Sequence, residues 1–318
     1  MFRKHSWAGM IASLLMMGAM RLLAAEPAAT TPTATEPSAA SSAAAERPTA
    51  RIGGRAARIG AVAYAPSAVT IFQDLTRYLA AHDYPADYVL YSGYDALVEA
   101  LERGEVDIAW NTPLAHARYH VSCGGASQTL VMRDVDFDVH SVLVARSDSG
   151  IQSLADLAGK RLVLGSSQAA EATVLPLYYL KQAGVDLEQV TIVSLENEVD
   201  NQGNPCASPR HVFEAVRAGR GDAGIVTEEV CRALAKPKPE APVMKRVWTS
   251  PPFSHCVFTA APGFDKERGA RFTELMTAMR ADDPATAELM RLEGTRRWLP
   301  GTPTGFVDLI EALQKDGR

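Results

Sequence analysis

His116, His120 and Cys123 stand within one short stretch, HARYHVSC, at residues 116–123. On a helix, positions i and i+4 share a face, so two imidazoles at this spacing have the geometry of a metal pair. Spacing alone supplies no third or fourth ligand, so the expectation is no metal and no cofactor, with both histidines at a cleft or on the surface. Cys123, Cys206, Cys231 and Cys256 are the only cysteines, and none is at CxxC spacing. An even count in an oxidising compartment suggests up to two disulfides. A thiol left over at Cys123 or Cys206 would suit a soft oxyanion such as arsenite. Catalysis finds little support: the chain has no GxSxG elbow, no HExxH and no phosphate-cradling GxxxxGK[ST] loop. The reading is therefore a binding protein and not an enzyme.

The elements that must position these residues follow from periodicity. From Arg58 the chain alternates apolar strands with amphipathic helices: strands at 58–63, 87–92 and 106–111, helices at 70–80 and 95–104. A second round follows, with a capping-box start at Ser153 and Asp156, strands at 160–166, 189–195 and 221–227, and helices at 172–184 and 210–219. Strand–helix alternation implies parallel pairing with right-handed crossovers. The two rounds also echo each other in sequence. LVEALERGEVDIAWNT (97–112) and VFEAVRAGRGDAGIVT (212–227) match at Glu99/Glu214, Ala100/Ala215, Gly104/Gly219, Asp107/Asp222 and Thr112/Thr227. Each copy reads as helix, glycine stop, turn with Asp, and buried strand ending on Thr. The fold class expected is α/β: two similar α/β lobes with a ligand cleft between them and two hinge crossings. Ligands in open α/β sheets bind beyond the carboxyl ends of the strands. That places Trp110, Asn111 and Thr112 opposite Thr227 and Glu228. The stretch 242–261 then returns the chain to the first lobe, and the amphipathic segments 267–280 and 305–316 pack there.

The flanks bound the setting. Residues 1–25 read as a cleaved secretory signal: Arg3 and Lys4, an apolar stretch from Trp7 to Met20, then small residues at Ala24 and Ala25. Residues 26–55 are mostly Ala, Thr, Pro and Ser, the composition of a disordered tether. Removing the leader with Arg3, Lys4 and Arg21 leaves 29 basic against 37 acidic residues, a net charge of −8. A mildly acidic surface without a basic stripe argues against nucleic acid. The expected boundaries are 56–145 plus 248–318 for the first lobe and 146–247 for the second.

Three segments carry a family resemblance. SDSGIQSLADLAGKRLVLG (147–165), GEVDIAWNTPLAHAR (104–118) and GRGDAGIVTEEV (219–230) resemble the phosphate/phosphite/phosphonate-type periplasmic solute-binding proteins. The likeness runs from about Arg58 to Asp316. It implies a type 2 periplasmic-binding-protein fold that closes on a small polar solute or oxyanion, acting as a monomer with the permease of an ABC importer in the periplasm. An alternative is a sensor or adaptor that takes an arsenite-like oxyanion or a metal ion and signals to a membrane kinase or partner enzyme. The departures bear on the ligand. Where phosphonate-binding members have a Ser-Thr-Ser run at a helix N-terminus, this chain reads Ala169-Ala170-Glu171. All three hydroxyls are lost and a carboxylate is gained, which repels a dianion if it faces the cleft; at a helix start it is also an ordinary stabilising choice. The ligand expected is therefore not a standard phosphonate. The family's Ser-His-Asp loop is replaced by Ser208-Pro209-Arg210, where Arg210 either pairs with an anion or is solvated. The candidate ligand set comprises Tyr64 as a cap, Asn111, Thr112, Ser166, Ser167 and Thr227 as neutral hydrogen-bonding groups, His116 and Glu171 as charge readers, and Trp110, Arg210 and Glu228 beside them.

Overall fold

The computed structural model describes residues 55–199, 205–234 and 242–316. The expected leader and nearly all of the expected tether lie outside these residues. No helix among them is long and apolar enough to cross a membrane.

The first round of alternation folds as β1 (Ala57–Val62), α1 (Ala68–Ala80), β2 (Ala86–Tyr91), α2 (Tyr94–Glu102), β3 (Ile108–Asn111), α3 (Pro113–Ser122) and β4 (Gln128–Arg133). The second is β5 (Ser141–Arg146), β6 (Arg161–Leu164), α4 (Leu175–Gln182), β7 (Thr191–Ser194), α5 (Pro209–Arg217), β8 (Ala223–Thr227), α6 (Glu228–Leu234) and β9 (Met244–Thr249). The chain then returns through β10 (Val257–Ala260), α7 (Lys266–Ala278), α8 (Ala287–Leu292), β11 (Trp298–Pro300) and α9 (Val307–Asp316). Helix formation follows the apolar stripes: α1 buries Ile71, Phe72, Leu75, Tyr78 and Leu79 on one face.

Two sheets result, ordered β11-β4-β10-β3-β1-β2 and β7-β6-β8-β5-β9. Each holds a parallel core of three strands, β2-β1-β3 in one and β7-β6-β8 in the other. Each core then continues through an antiparallel strand, β10 or β5. The six strands of the two rounds thus pair in parallel, as their alternation with helices implies. β10 and β5 each enter their sheet from the opposite lobe and run against its parallel core. The strand 141–146, which an expected boundary at 145 leaves with the first lobe, hydrogen-bonds in the second sheet.

The sequence echo has a physical cause that repeats in both lobes. Gly104 and Gly219 end their helices at φ +69° and +80°, the left-handed region that glycine enters at low cost. Asp107 and Asp222 then lock the following strand to the first strand of the sheet. Asp107 N–H donates to the Arg58 carbonyl at 2.8 Å and its carboxylate accepts from Arg58 N–H at 2.8 Å. Asp222 does the same with Arg161, again at 2.8 Å in both directions. Thr112 Oγ1 accepts from Ala115 N–H and Thr227 Oγ1 from Val230 N–H, both at 3.3 Å, so each Thr caps the next helix.

The chain crosses between sheets twice, at 134–140 and 250–256, and the crossings pair with each other. Val139 and Phe253 exchange backbone hydrogen bonds at 2.9 and 3.0 Å. A buried apolar cluster also joins the lobes. Leu114 and Ala117 of α3, and Leu309, Ala312 and Leu313 of α9, pack against Val174 and Leu175, Tyr178 and Tyr179 of α4.

Candidate functional site

A cleft of about 690 Å³ lies between the two sheets' helical loops. Its first wall comprises Tyr94, Asp95, Val98 and Glu99 of α2, with Thr112, Leu114 and Arg118 at the β3–α3 junction. Its second wall is Ser166 and Gln168 through Glu171, the segment leading into α4, and His255 closes the base from the second crossing. A π-turn over Ala170–Val174 opens α4 here. Such turns widen a helix by one residue and recur at functional sites.

Glu171 and His255 pair where the second wall meets the base of the cleft. Glu171 Oε2 lies 3.5 Å from His255 Nε2. Burial alone would push the imidazole down, but the neighbouring Cys256 and hydrogen bonds to Asp136 and Glu171 hold it well above its ordinary value. Burial would raise Glu171, yet His255 outweighs it and the carboxylate is lowered; its own backbone N–H also donates to it. Both groups are therefore charged near neutral pH. Behind them, Asp136 accepts from Arg133 Nε at 2.7 Å and Nη2 at 3.0 Å, and the Arg133 guanidinium lies 5.3 Å over the Trp110 ring. Arg133 Nη1 also reaches Glu293 Oε2 at 3.3 Å. Burial raises the Glu293 carboxyl, against the pull of Arg133.

Of the sequence-named candidates, Thr112, Ser166 and Glu171 meet in this cleft. Ser166 Oγ donates to Glu196 at 3.3 Å. Ser167 is exposed and lines a neighbouring pocket of about 520 Å³ with Tyr178, Lys181 and Lys315. Tyr64 is 46% exposed and donates its hydroxyl to Glu293 at 3.2 Å. Trp110 is buried against Phe258 and Trp298 in the first lobe's core. Asn111 is fully buried, and neither of its side-chain polar atoms finds a partner. His116 is buried, shares a 2.8 Å hydrogen bond with Thr259 and packs on Phe306. Burial, with a smaller push from His120, lowers its pKa to about 3. Arg210 is exposed at the start of α5. Thr227 is half-buried as a cap, and Glu228 pairs with Arg246 at 2.9 Å. Cys123 is half-buried at the end of α3, with its thiol 3.5 Å from the His120 carbonyl. Cys206 is half-buried, its N–H donating to the Glu198 carbonyl. No disulfide joins any of Cys123, Cys231 and Cys256.

Sequence reasoning passed over His255, Asp136 and Arg133. His255 sits in SPPFSHCVF (250–258), read only as a return path. The one available signal was a His-Cys pair directly after a Pro-rich bend.

Two lobes, each with three parallel strands, two paired crossings and a cleft between the lobes define a type 2 periplasmic-binding-protein architecture. Residues 59–304 match the family described as "ABC transporter, phosphonate, periplasmic substrate-binding protein", and the chain belongs to that family. The chain is 22% identical over 199 residues to the "Probable ABC transporter phosphite binding protein PhnD1" of Prochlorococcus marinus (strain MIT 9301). That match spans 60% of this chain and 64% of the relative. Among solved structures, PhnD1 from the same organism in complex with methylphosphonate superposes with a TM-score of 0.58 at 18% identity, covering 82% of this chain and 98% of that one. XAC2383 from Xanthomonas citri, bound to ATP, gives 0.62 at 18% identity with the same coverage. The Escherichia coli aliphatic sulphonate-binding protein SsuA gives 0.52 at 15% identity, covering 83% and 94%.

Proposed function

We propose that this protein is the periplasmic solute-binding component of an ABC importer and that its solute is a small polar molecule other than a phosphonate dianion. It carries an ammonium or comparable donor for Glu171 and at most one negative charge. Family membership supports the importer role and lends nothing to a sensor.

The observation that carries the ligand reading is Glu171. A helix start is an anion site because its first N–H groups are free and aligned. Here the carboxylate of Glu171 takes that place, accepting from its own N–H and pairing with His255. Two like charges about 4 Å apart repel by roughly 4 kcal/mol at an effective dielectric near 20, and a dianion doubles this. Three acids line the cleft, Asp95, Glu99 and Glu171, against two cations, Arg118 and His255. Arg118 is already paired with Asp95 at 3.3 Å. Tyr94 adds an aromatic face suited to a cation.

Binding works by closure. A solute touching α2 and α3 on one wall and the Ser166–Glu171 segment on the other favours the closed arrangement over the open one. A thermal-shift panel tests the reading: zwitterionic amines raise the melting temperature, while methylphosphonate and phosphite leave it unchanged. Stabilisation by methylphosphonate and by no amine refutes it.

A further inference from the structure

Three donor atoms of different chemistry converge where the two crossings pair. His255 Nδ1 lies 3.2 Å from Cys256 Sγ and 3.3 Å from Asp136 Oδ1, and no two of the three donors are more than 4.8 Å apart. Tetrahedral Zn(II), with bonds of about 2.3 Å to sulfur and 2.0–2.1 Å to nitrogen or oxygen, sets its donors roughly 3.3–3.6 Å apart. The His255–Asp136 contact has that spacing, and the His255–Cys256 contact at 3.2 Å falls just short of it. Asp136 and Cys256 are buried, and His255 is half-buried at the cleft base.

The supports match those of a metal site as well. A metal-bound imidazole usually gives its other N–H to a carboxylate, which fixes ring orientation. His255 Nε2 faces Glu171 at 3.5 Å. The Asp136 carboxylate is held by Arg133, and the Asp136 carbonyl accepts from His255 N–H at 2.8 Å, tying the two crossings together. Cys256 forms no disulfide.

We propose that Asp136 Oδ1, His255 Nδ1 and Cys256 Sγ form a binding site for a divalent transition-metal ion of Zn(II) type. One thiolate, one imidazole and one carboxylate suit borderline ions and disfavour Mg(II) and Ca(II), which take oxygen ligands. Three protein donors leave one tetrahedral position for water or a solute oxygen. Because the donors lie on both crossings, the ion bridges the hinge. The site shares His255 and its partner Glu171 with the cleft, but its donors Asp136, His255 and Cys256 require no cleft ligand, so metal binding is read without any solute present.

The test is titration of the chelator-treated, reduced protein with Zn(II) by calorimetry and with Co(II) by absorption. The expected result is one equivalent of either ion, with a thiolate-to-cobalt charge-transfer band. Cys256→Ser abolishes the band, and Glu171→Gln weakens Zn(II) binding about 10–100-fold. Zn(II) also protects Cys256 of the unmodified protein from alkylation, a readout that needs no variant. Absence of the band, an unchanged alkylation rate, or loss of binding in His120→Ala in place of Cys256→Ser overturns the proposal.

Discussion

At the scale of single residues, burial decides which side chains speak to a ligand. His116 holds one of the first positions of α3, next to the cleft residues Thr112 and Ala115, yet it is 1% exposed and bonded to Thr259. Its imidazole is neutral in the fold, with its pKa pushed down to about 3 from 6.5. The unfolded chain therefore binds a proton that the fold excludes, and stability falls as pH drops from about 6.5 towards 3, by up to about 1.4 kcal/mol per unit. His116→Gln should flatten that slope in urea titrations run across the window; an unchanged slope contradicts a buried neutral imidazole. Glu171 was legible because its carboxylate stands where hydroxyls are expected at a helix start. His255, Asp136 and Cys256 were not. Asp136 and His255 are 119 positions apart, and only the pairing of the two crossings brings them together.

At the scale of elements, most strands and helices follow from their periodicity, and the exceptions have local causes. The segment after Ser153 forms one 3-10 turn (Leu154–Leu157) where a helix is expected, although its capping box is present. A cap satisfies a helix start but cannot extend it past Gly159, which is at φ +73°. β4 and the three-residue β11 escaped notice because each pairs only with strands far away in sequence. The repeated unit was legible, and the structure gives it a testable content. Gly104→Ala meets no atom within 4 Å, so its cost is that of backbone strain, about 1 kcal/mol. Gly219→Ala carries a similar backbone cost: a methyl group there comes 2.7 Å from Arg146 Nη1, the end of a long side chain that can move aside. Asp107→Ala and Asp222→Ala each lose a charge-assisted bond to a backbone N–H, about 1–3 kcal/mol. Equal melting temperatures for parent and Asp variants would remove these residues from the account of the fold.

At the scale of the whole molecule, the two lobes are joined by the paired crossings and by the apolar seam between α9 and α4. Tyr179 donates to Asp308 of α9 at 2.7 Å, and Leu309 and Leu313 are each 1% exposed. Leu313→Ala should cost about 2–5 kcal/mol and loosen one lobe on the other, read as a lower midpoint in chemical denaturation. The cleft lies beside this seam, so solute contacts with both walls add to a connection that already exists. Two similar lobes and the cleft between them could be expected from the repeat; the charge at its base could not, because it comes from the crossings. Calorimetric titration of methylphosphonate into the parent protein and Glu171→Ser tests the central claim most directly. The parent should give no heat of binding. The serine variant, with a hydroxyl restored at the helix start and His255 freed to face the anion, should bind measurably. Binding by the parent at equal or greater affinity would show that Glu171 does not set the ligand.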